Sequence, residues 1–393
     1  MIQKRAINQL PNKVFAQLGW DYFVSAEAAD YLTTDLVQIS EVERDAFYEA
    51  GNHIYELFVA AGEYVLVNNL LDKLGISRNL HQLIRLSWER DAHLHLFGRF
   101  DFAGGVSGLP IKLMEFNADT PTSLPETAMI QWAQLRANNL PEDAQLNVVF
   151  DALVANFRRL ADLNPDRERA ILFSTMRDTP EDENNVSLLK EAAIEAGFDA
   201  SFCYVDEVVF SDVNGIFGPD SAGDNVNFPF WFKLVPWEYI AEDEPKLCEQ
   251  LTTIVRKDLA IILNPAYTML FQSKGMLKYL WDLFPNEPLL LEADFKEPIG
   301  RGDYPFVRKV FFGREGSNVS VFDGIGLPTD IRSGDYGNQP VIYQAYADLA
   351  RDSEGQYYQA GVFFAYETCG LGFRRSTSKI IDNAAQFVGH IVQ

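Results

Sequence analysis

Residues 96–119 read LFGRFDFAGGVSGLPIKLMEFNAD. Two short apolar runs are interrupted by Gly104, Gly105 and Pro110, which is the punctuation of two strands joined by a turn. Along a strand, residues two apart share a face. Arg99 and Asp101 share one on the first run, and Glu115 and Asn117 share one on the second. Hairpin pairing would bring Asp101, Glu115 and Asn117 together. Oxygen donors of this kind suit magnesium, which keeps several waters and meets phosphate oxygens. Arg99 beside them suits a bidentate anion clamp. The same spacing also fits a solvated hairpin face with surface ion pairs.

Beyond the hairpin, Thr120, Thr122 and Ser123 surround Pro121, and SLPETAMIQWAQL at 123–135 sets a hydroxyl, a proline and an acid at a helix start, from Ser123 or Pro125. Upstream, residues 25–95 read as helical, on the spacing of EVERDAFYEAGNHIYELFVAAGEYVL at 41–66. Downstream, RAILFST, DENNVSLLKEAAIEAGF and DASFCYVDEVVF over 169–210 form a strand–helix–strand unit, predicting parallel pairing and a Rossmann-like layer. Its first loop carries Glu181, Asp182 and Glu183 and has no GxGxxG fingerprint. Residues 211–228 read as a loop, and FPFWFKLVPWEYI at 228–240 as a strand containing Lys233.

Further on, LAIILNPAYTMLFQSKGMLKYLWDLFP at 259–285 reads as strand, loop and helix, with Lys274 at the helix start and Lys278 one turn later. A cation there opposes the helix dipole, which a bound anion would offset. FVRKVFFGREGSNVSVF at 306–322 is a hairpin with a glycine-rich tip. Gly313 and Gly316 would let backbone N–H groups close on an anion, with Lys309 at the root. Ordinary turn geometry explains the same glycines. The segments VIYQAYADL and YYQAGVFFAYET read as strands, and GLGFRRS adds Arg374 or Arg375.

The formal charge of −23, from 56 acids against 33 bases, disfavours nucleic acid and anionic lipid as partners. An apolar fraction of 47% is enough for a sizeable core. Three scattered cysteines suggest no disulfide framework and fit a reducing cytosol, and His93 and His95 lack a third zinc ligand nearby. No secretory signal or bilayer-length apolar run is visible, so the expectation is a soluble cytoplasmic protein. GxSxG and the kinase signatures are absent.

The ordered set GRFDF, MEFNADTPTSLPE, TPEDENN, FKLVPWE, SKGMLKYLW, VRKVFFGREGSNV, YQAYADL and GFRR resembles the glutathionylspermidine synthetase family of ATP-grasp carbon–nitrogen ligases, over roughly residues 12–385. The amidase portion of some members, with its catalytic Cys and His, has no counterpart among these motifs. The resemblance implies an α+β ATP-grasp fold with antiparallel sheets, a Rossmann-like pre-ATP-grasp layer and an N-terminal helical segment. It implies one catalytic unit over 1–393, with a helical and hairpin part at 12–165 carrying the metal cluster, a Rossmann-like part at 166–245 and an ATP-grasp part at 246–390.

The implied cofactors are ATP and Mg2+. The family's metal ligands fall on Asp101, Glu115 and Asn117, and its phosphate-contacting arginine on Arg99. Its ATP-binding lysines fall on Lys274 and Lys309. A lid at Gly313, Arg314 and Gly316 and an adenine hinge from Gln344 through Tyr346 to Leu349 complete the nucleotide site. The C-terminal arginine matches Arg374, with Arg375 a near-miss. Thr120 and Thr122 fall at the glutathione side, and Glu181 and Asp182 at the amine side, with Asp in place of the family's second Glu. The implied reaction joins a peptide or glutathione-like acid to a polyamine or other amine through an acyl phosphate. An ATP-binding regulator or scaffold without ligase activity is the alternative.

Overall fold

The computed structural model describes residues 1–25, 30–298 and 304–393. The stretch 98–117 does form a hairpin, with Gly98–Ala103 antiparallel to Lys112–Asn117. The hairpin is the edge of an eight-stranded sheet. Inward from it lie Tyr357–Ala365, Glu367–Ser376, Gln386–Val392, Leu32–Ile39 and Gln3–Ala6, and Ala350–Arg351 pairs to the side. Pairing is antiparallel except between Leu32–Ile39 and Gln386–Val392. This one sheet therefore joins both ends of the chain to the hairpin.

Residues 32–39 correct the helical reading of 25–95. Thr33, Thr34, Val37 and Ile39 are β-branched residues favoured in strands, and the C-terminal strand offers a partner that the local sequence does not reveal. Residues 26–29 of that reading lie outside the described residues. The helix proper is Glu41–Val67, started by a capping box: the Ser40 hydroxyl accepts from the Glu43 N–H at 3.2 Å and the Ser40 N–H donates to Glu43 Oε2 at 2.8 Å. A cap of this kind is worth about 1 kcal/mol. The helix packs on the large sheet through an aromatic cluster. Phe58 lies 5.1 Å from Phe116, which stacks on Phe100 at 3.9 Å.

A second sheet has four parallel strands in the order Ile261–Leu263, Phe230–Lys233, Ala170–Ser174 and Asp199–Phe202. Ala170–Ser174 is buried at every position, as parallel strands covered on both faces are. The helix Pro180–Glu195 makes the expected crossover between strands. Residues 211–228 are not a loop: Gly215–Pro219 pairs with Val209–Ser211 on one side and with Asn225–Phe228 on the other. Polar, glycine-rich composition hid a small antiparallel sheet that is solvated on one side. A five-stranded antiparallel sheet carries the glycine-rich hairpin, in the order Ala293–Asp294, Val341–Ala345, Phe306–Val310, Val319–Phe322 and Pro328–Arg332.

Among the described residues no helix is long and apolar enough to cross a membrane. Cys203, Cys248 and Cys369 are all buried and free.

Candidate active site

Register places Asp101 opposite Glu115 and Arg99 opposite Asn117. The predicted convergence is present. Asn117 Nδ2 donates to Asp101 Oδ2 at 3.1 Å, and Arg99 grips the same carboxylate through Nε at 2.8 Å and Nη2 at 3.2 Å. Its Nη1 donates to the Thr122 carbonyl at 2.7 Å, tying the hairpin to the following loop. Burial works against the Arg99 charge, but Asp101 outweighs it and raises the pKa further. Gly361 on the neighbouring strand makes room, since a Cβ there would sit 3.2 Å from Arg99 Cδ.

The lysines arrive from two other elements. Lys274 lies two residues before the helix Met276–Leu283; its Nζ lies 3.3 Å from Glu115 Oε2 and donates to the Gly313 carbonyl at 2.7 Å. Lys309, on the strand Phe306–Val310, donates to Gln344 Oε1 at 2.9 Å and to the Met114 carbonyl at 3.2 Å. Burial pushes Lys309 down to about 8 despite the neighbouring Glu115. Burial also disfavours the Glu115 anion, yet Lys274, Lys309 and Arg99 together hold its pKa below the usual value.

The Gln344 side chain is also committed within the fold, donating to the Leu113 carbonyl at 3.0 Å. Lys278 turns away to Asp282 at 2.6 Å, and Arg375 turns away to Asp35 at 2.9 Å and to Gln386. Strand alternation thus separates Arg374, which lines the cleft, from Arg375, which does not.

Arg99, Asp101, Glu115, Asn117, Thr120, Thr122, Glu181, Asp182, Lys274, Lys309, Gly313, Arg314, Gly316, Gln344, Tyr346, Leu349 and Arg374 all line one cleft of about 690 Å³. That volume is within the range of small-molecule sites. The glycine-rich tip covers it. Gly316 has φ +69° and a Cβ there would meet the Ile381 carbonyl at 2.8 Å, so a side chain is excluded by both conformation and space. Arg314 anchors the tip, donating to Glu238 Oε1 at 2.5 Å and to the Thr120 hydroxyl at 3.0 Å.

Glu181 and Asp182 line the same cleft, near Arg374 and Arg99 and near Arg314 and Glu315 of the tip. Glu181 and Asp182 begin the helix Pro180–Glu195. Burial raises both pKa values, and burial together with Glu181 lifts Asp182 to about 7. Arg374 donates to the carbonyls of Asp382 at 3.0 Å and Ala385 at 2.9 Å, and lies over the Tyr31 ring.

The framework holding the Ala118–Thr122 loop escaped the sequence reading. Asp119 pairs with Lys233 and accepts from the Trp237 N–H at 2.9 Å. Gln272 Oε1 accepts from the N–H groups of Ala118 and Asp119, and Asn264 donates to the Asp119 carbonyl at 2.8 Å. A lysine inside the otherwise apolar run FWFKLV was the available signal, because a buried lysine needs a carboxylate.

The oxygen donors fit magnesium in type: two carboxylates and an amide, with room in the cleft beside them. Among the described residues no group of three or more His, Cys, Asp or Glu could hold a metal.

A sequence profile described as "Glutathionylspermidine synthase preATP-grasp" matches residues 3–393. A Haemophilus influenzae protein provisionally named an acid–amine ligase is 28% identical over 95% of this chain and 94% of its own length. The bifunctional glutathionylspermidine synthetase/amidase of Escherichia coli is 25% identical over 83% of this chain, and the trypanothione synthetase of Crithidia fasciculata 22% identical over 84%. The alignments span about half of those two longer proteins, 54% and 52%. In structure, a glutathione synthetase-like effector of Globodera pallida superposes with a TM-score of 0.57 at 9% identity, covering 98% of both chains, which indicates a shared α+β fold.

Proposed function

The chain belongs to the glutathionylspermidine synthase family, and we propose that it is an ATP-dependent acid–amine ligase joining a peptide or glutathione-like carboxylate to a polyamine or other amine. The observation that carries this reading is the meeting of Arg99, Asp101, Glu115 and Asn117 with Lys274, Lys309 and the Gly313–Gly316 tip in one cleft that Glu181 and Asp182 also line. Bound ATP with Mg2+ would supply the activating phosphoryl group and neutralise its charge. Asp101, Glu115 and Asn117 would hold the metal, Lys274 and Lys309 the phosphates, and the Gln344–Leu349 segment the base.

In the first step, a carboxylate oxygen of the acid bonds the terminal phosphorus as the bond to the departing ADP breaks, giving an acyl phosphate. In the second, the amine nitrogen bonds the acyl carbon, phosphate departs with the C–O electron pair, and the nitrogen loses its proton. Arg99 and Arg374 offset charge on the transferring groups. Thr120 and Thr122 sit where the acid would lie, and Glu181 and Asp182 where a cationic amine would. The Arg314 contacts to Glu238 and Thr120 hold the tip down and exclude water, against which an acyl phosphate has little lifetime.

The test is ADP release against a panel of acids and amines, with mass spectrometry of the products. Amide formation matched by ADP supports the ligase. Tight Mg–ATP binding with no ADP release for any pair favours the regulator instead.

A further inference from the structure

Glu126 lies in the helical turn after the loop, with none of its surface exposed. Its Oε1 accepts from the Tyr31 hydroxyl at 2.6 Å, while its Oε2 has no hydrogen-bond partner among the described residues. Tyr31 itself lines the cleft, together with Glu181, Asp182 and Arg374. A fully buried carboxyl with one unsatisfied oxygen, one hydroxyl away from the cleft, is costly unless it has a use.

We propose that Glu126, acting through Tyr31, is the buried inner acid of the amine end, and that a cationic amine entering beside Glu181 and Asp182 displaces its proton to solvent. The inference rests on the amine-binding reading of Glu181 and Asp182. Glu126 is a positioning residue, since it reaches the cleft through the Tyr31 hydroxyl. The groups acting on it are Tyr31, Glu181 and Arg374. Burial, then the Glu181 charge, raise it to about 7, so it is poised between forms near neutral pH. Burial, with Glu126 beside it, keeps Tyr31 a neutral donor by raising its pKa well above the usual value. A cation arriving at Glu181 removes part of the repulsion and favours the Glu126 anion. The proton that leaves goes to buffer, and no covalent bond changes.

The experiment is calorimetric titration of spermidine into the full chain at pH 7, in buffers of different ionisation enthalpy. Wild type should release protons on binding, with roughly half a proton from Glu126, because a group with pKa about 7 is half protonated at that pH. Glu126→Gln, whose carbonyl still accepts from Tyr31, should lose that share. Tyr31→Phe, which deletes the donor without touching the acid, should move the pH midpoint of the release upward. Spermidine binding with the same proton count in wild type and Glu126→Gln overturns this inference alone. Failure of wild type to bind spermidine overturns the amine-end reading and the inference with it.

Discussion

Asp119 and Lys233 form an ion pair of 3.1 Å in which neither side chain is exposed. It joins the loop after the Gly98–Asn117 hairpin to the parallel sheet, so the position of Thr120 and Thr122 depends on a contact between layers. Removing one member strands the other. Lys233→Met should lower the unfolding free energy by about 3–5 kcal/mol, the usual cost of breaking a buried pair. Adding Asp119→Asn should restore much of the loss. Urea unfolding reads both, and a Lys233→Met protein of unchanged stability would remove the pair from the account.

Lys309 should tie nucleotide binding to pH. With its pKa lowered to about 8, it is charged below that value and neutral above it. ATP affinity should therefore fall as pH rises through about 8. Lys309→Ala should bind about 1.5–3 kcal/mol more weakly at neutral pH, the scale of a hydrogen bond to a charged group, and should show no such limb. For stability the sign is reversed. The unfolded lysine, at 10.5, holds more protons between about 8 and 10.5, so the burial cost of this group shrinks as pH rises across that window. Fluorescence titration of a nucleotide analogue over the pH range checks the first claim, and unfolding curves check the second.

Glu115 should contribute on the acid side. Its folded pKa lies below the ordinary 4.5, so its stabilising effect is complete above that value and lost as pH falls through the folded one. Glu115→Gln should have a flatter stability profile in acid and should lose Mg2+-dependent ligation. Thermal melts at a series of acidic pH values would detect the difference, and unimpaired turnover in the variant would take Glu115 out of the metal site.

The Arg314–Glu238 contact should govern coupling. Arg314→Ala or Glu238→Gln frees the glycine-rich tip, admits water and lets activated acid hydrolyse. ADP formed per amide should rise from about one to several-fold higher, with a smaller effect on ATP affinity, since the Arg314 side chain is committed to Glu238 and Thr120. A ratio that stays at one in both variants would show that the contact does not seal the site.

The hairpin and the faces of its side chains were legible because both depend on near neighbours. The i, i+2 spacing of Arg99 with Asp101 and of Glu115 with Asn117 fixed the faces, and the Gly104–Gly105 break fixed the turn. The glycine-rich tip between Phe306 and Phe322 was legible for the same reason. Leu32–Ile39 was not, because a strand paired with residues 387–392 takes its conformation from a partner more than 350 positions away. The sheet at 209–228 was missed because polar turns and short exposed strands share a composition.

Sequence by itself determined the family, the faces of the hairpin and the set of residues that meet in the cleft. Tertiary structure alone decided the rest: that Lys233 is the partner of Asp119, that Arg314 bridges to Glu238 and Thr120, and that Glu126 is buried behind Tyr31. The physical reason is range. Strand alternation and turn chemistry act over a few residues and leave a local imprint, whereas burial, charge pairing and the pKa shifts they cause depend on which layers pack together, and no short stretch of sequence records that.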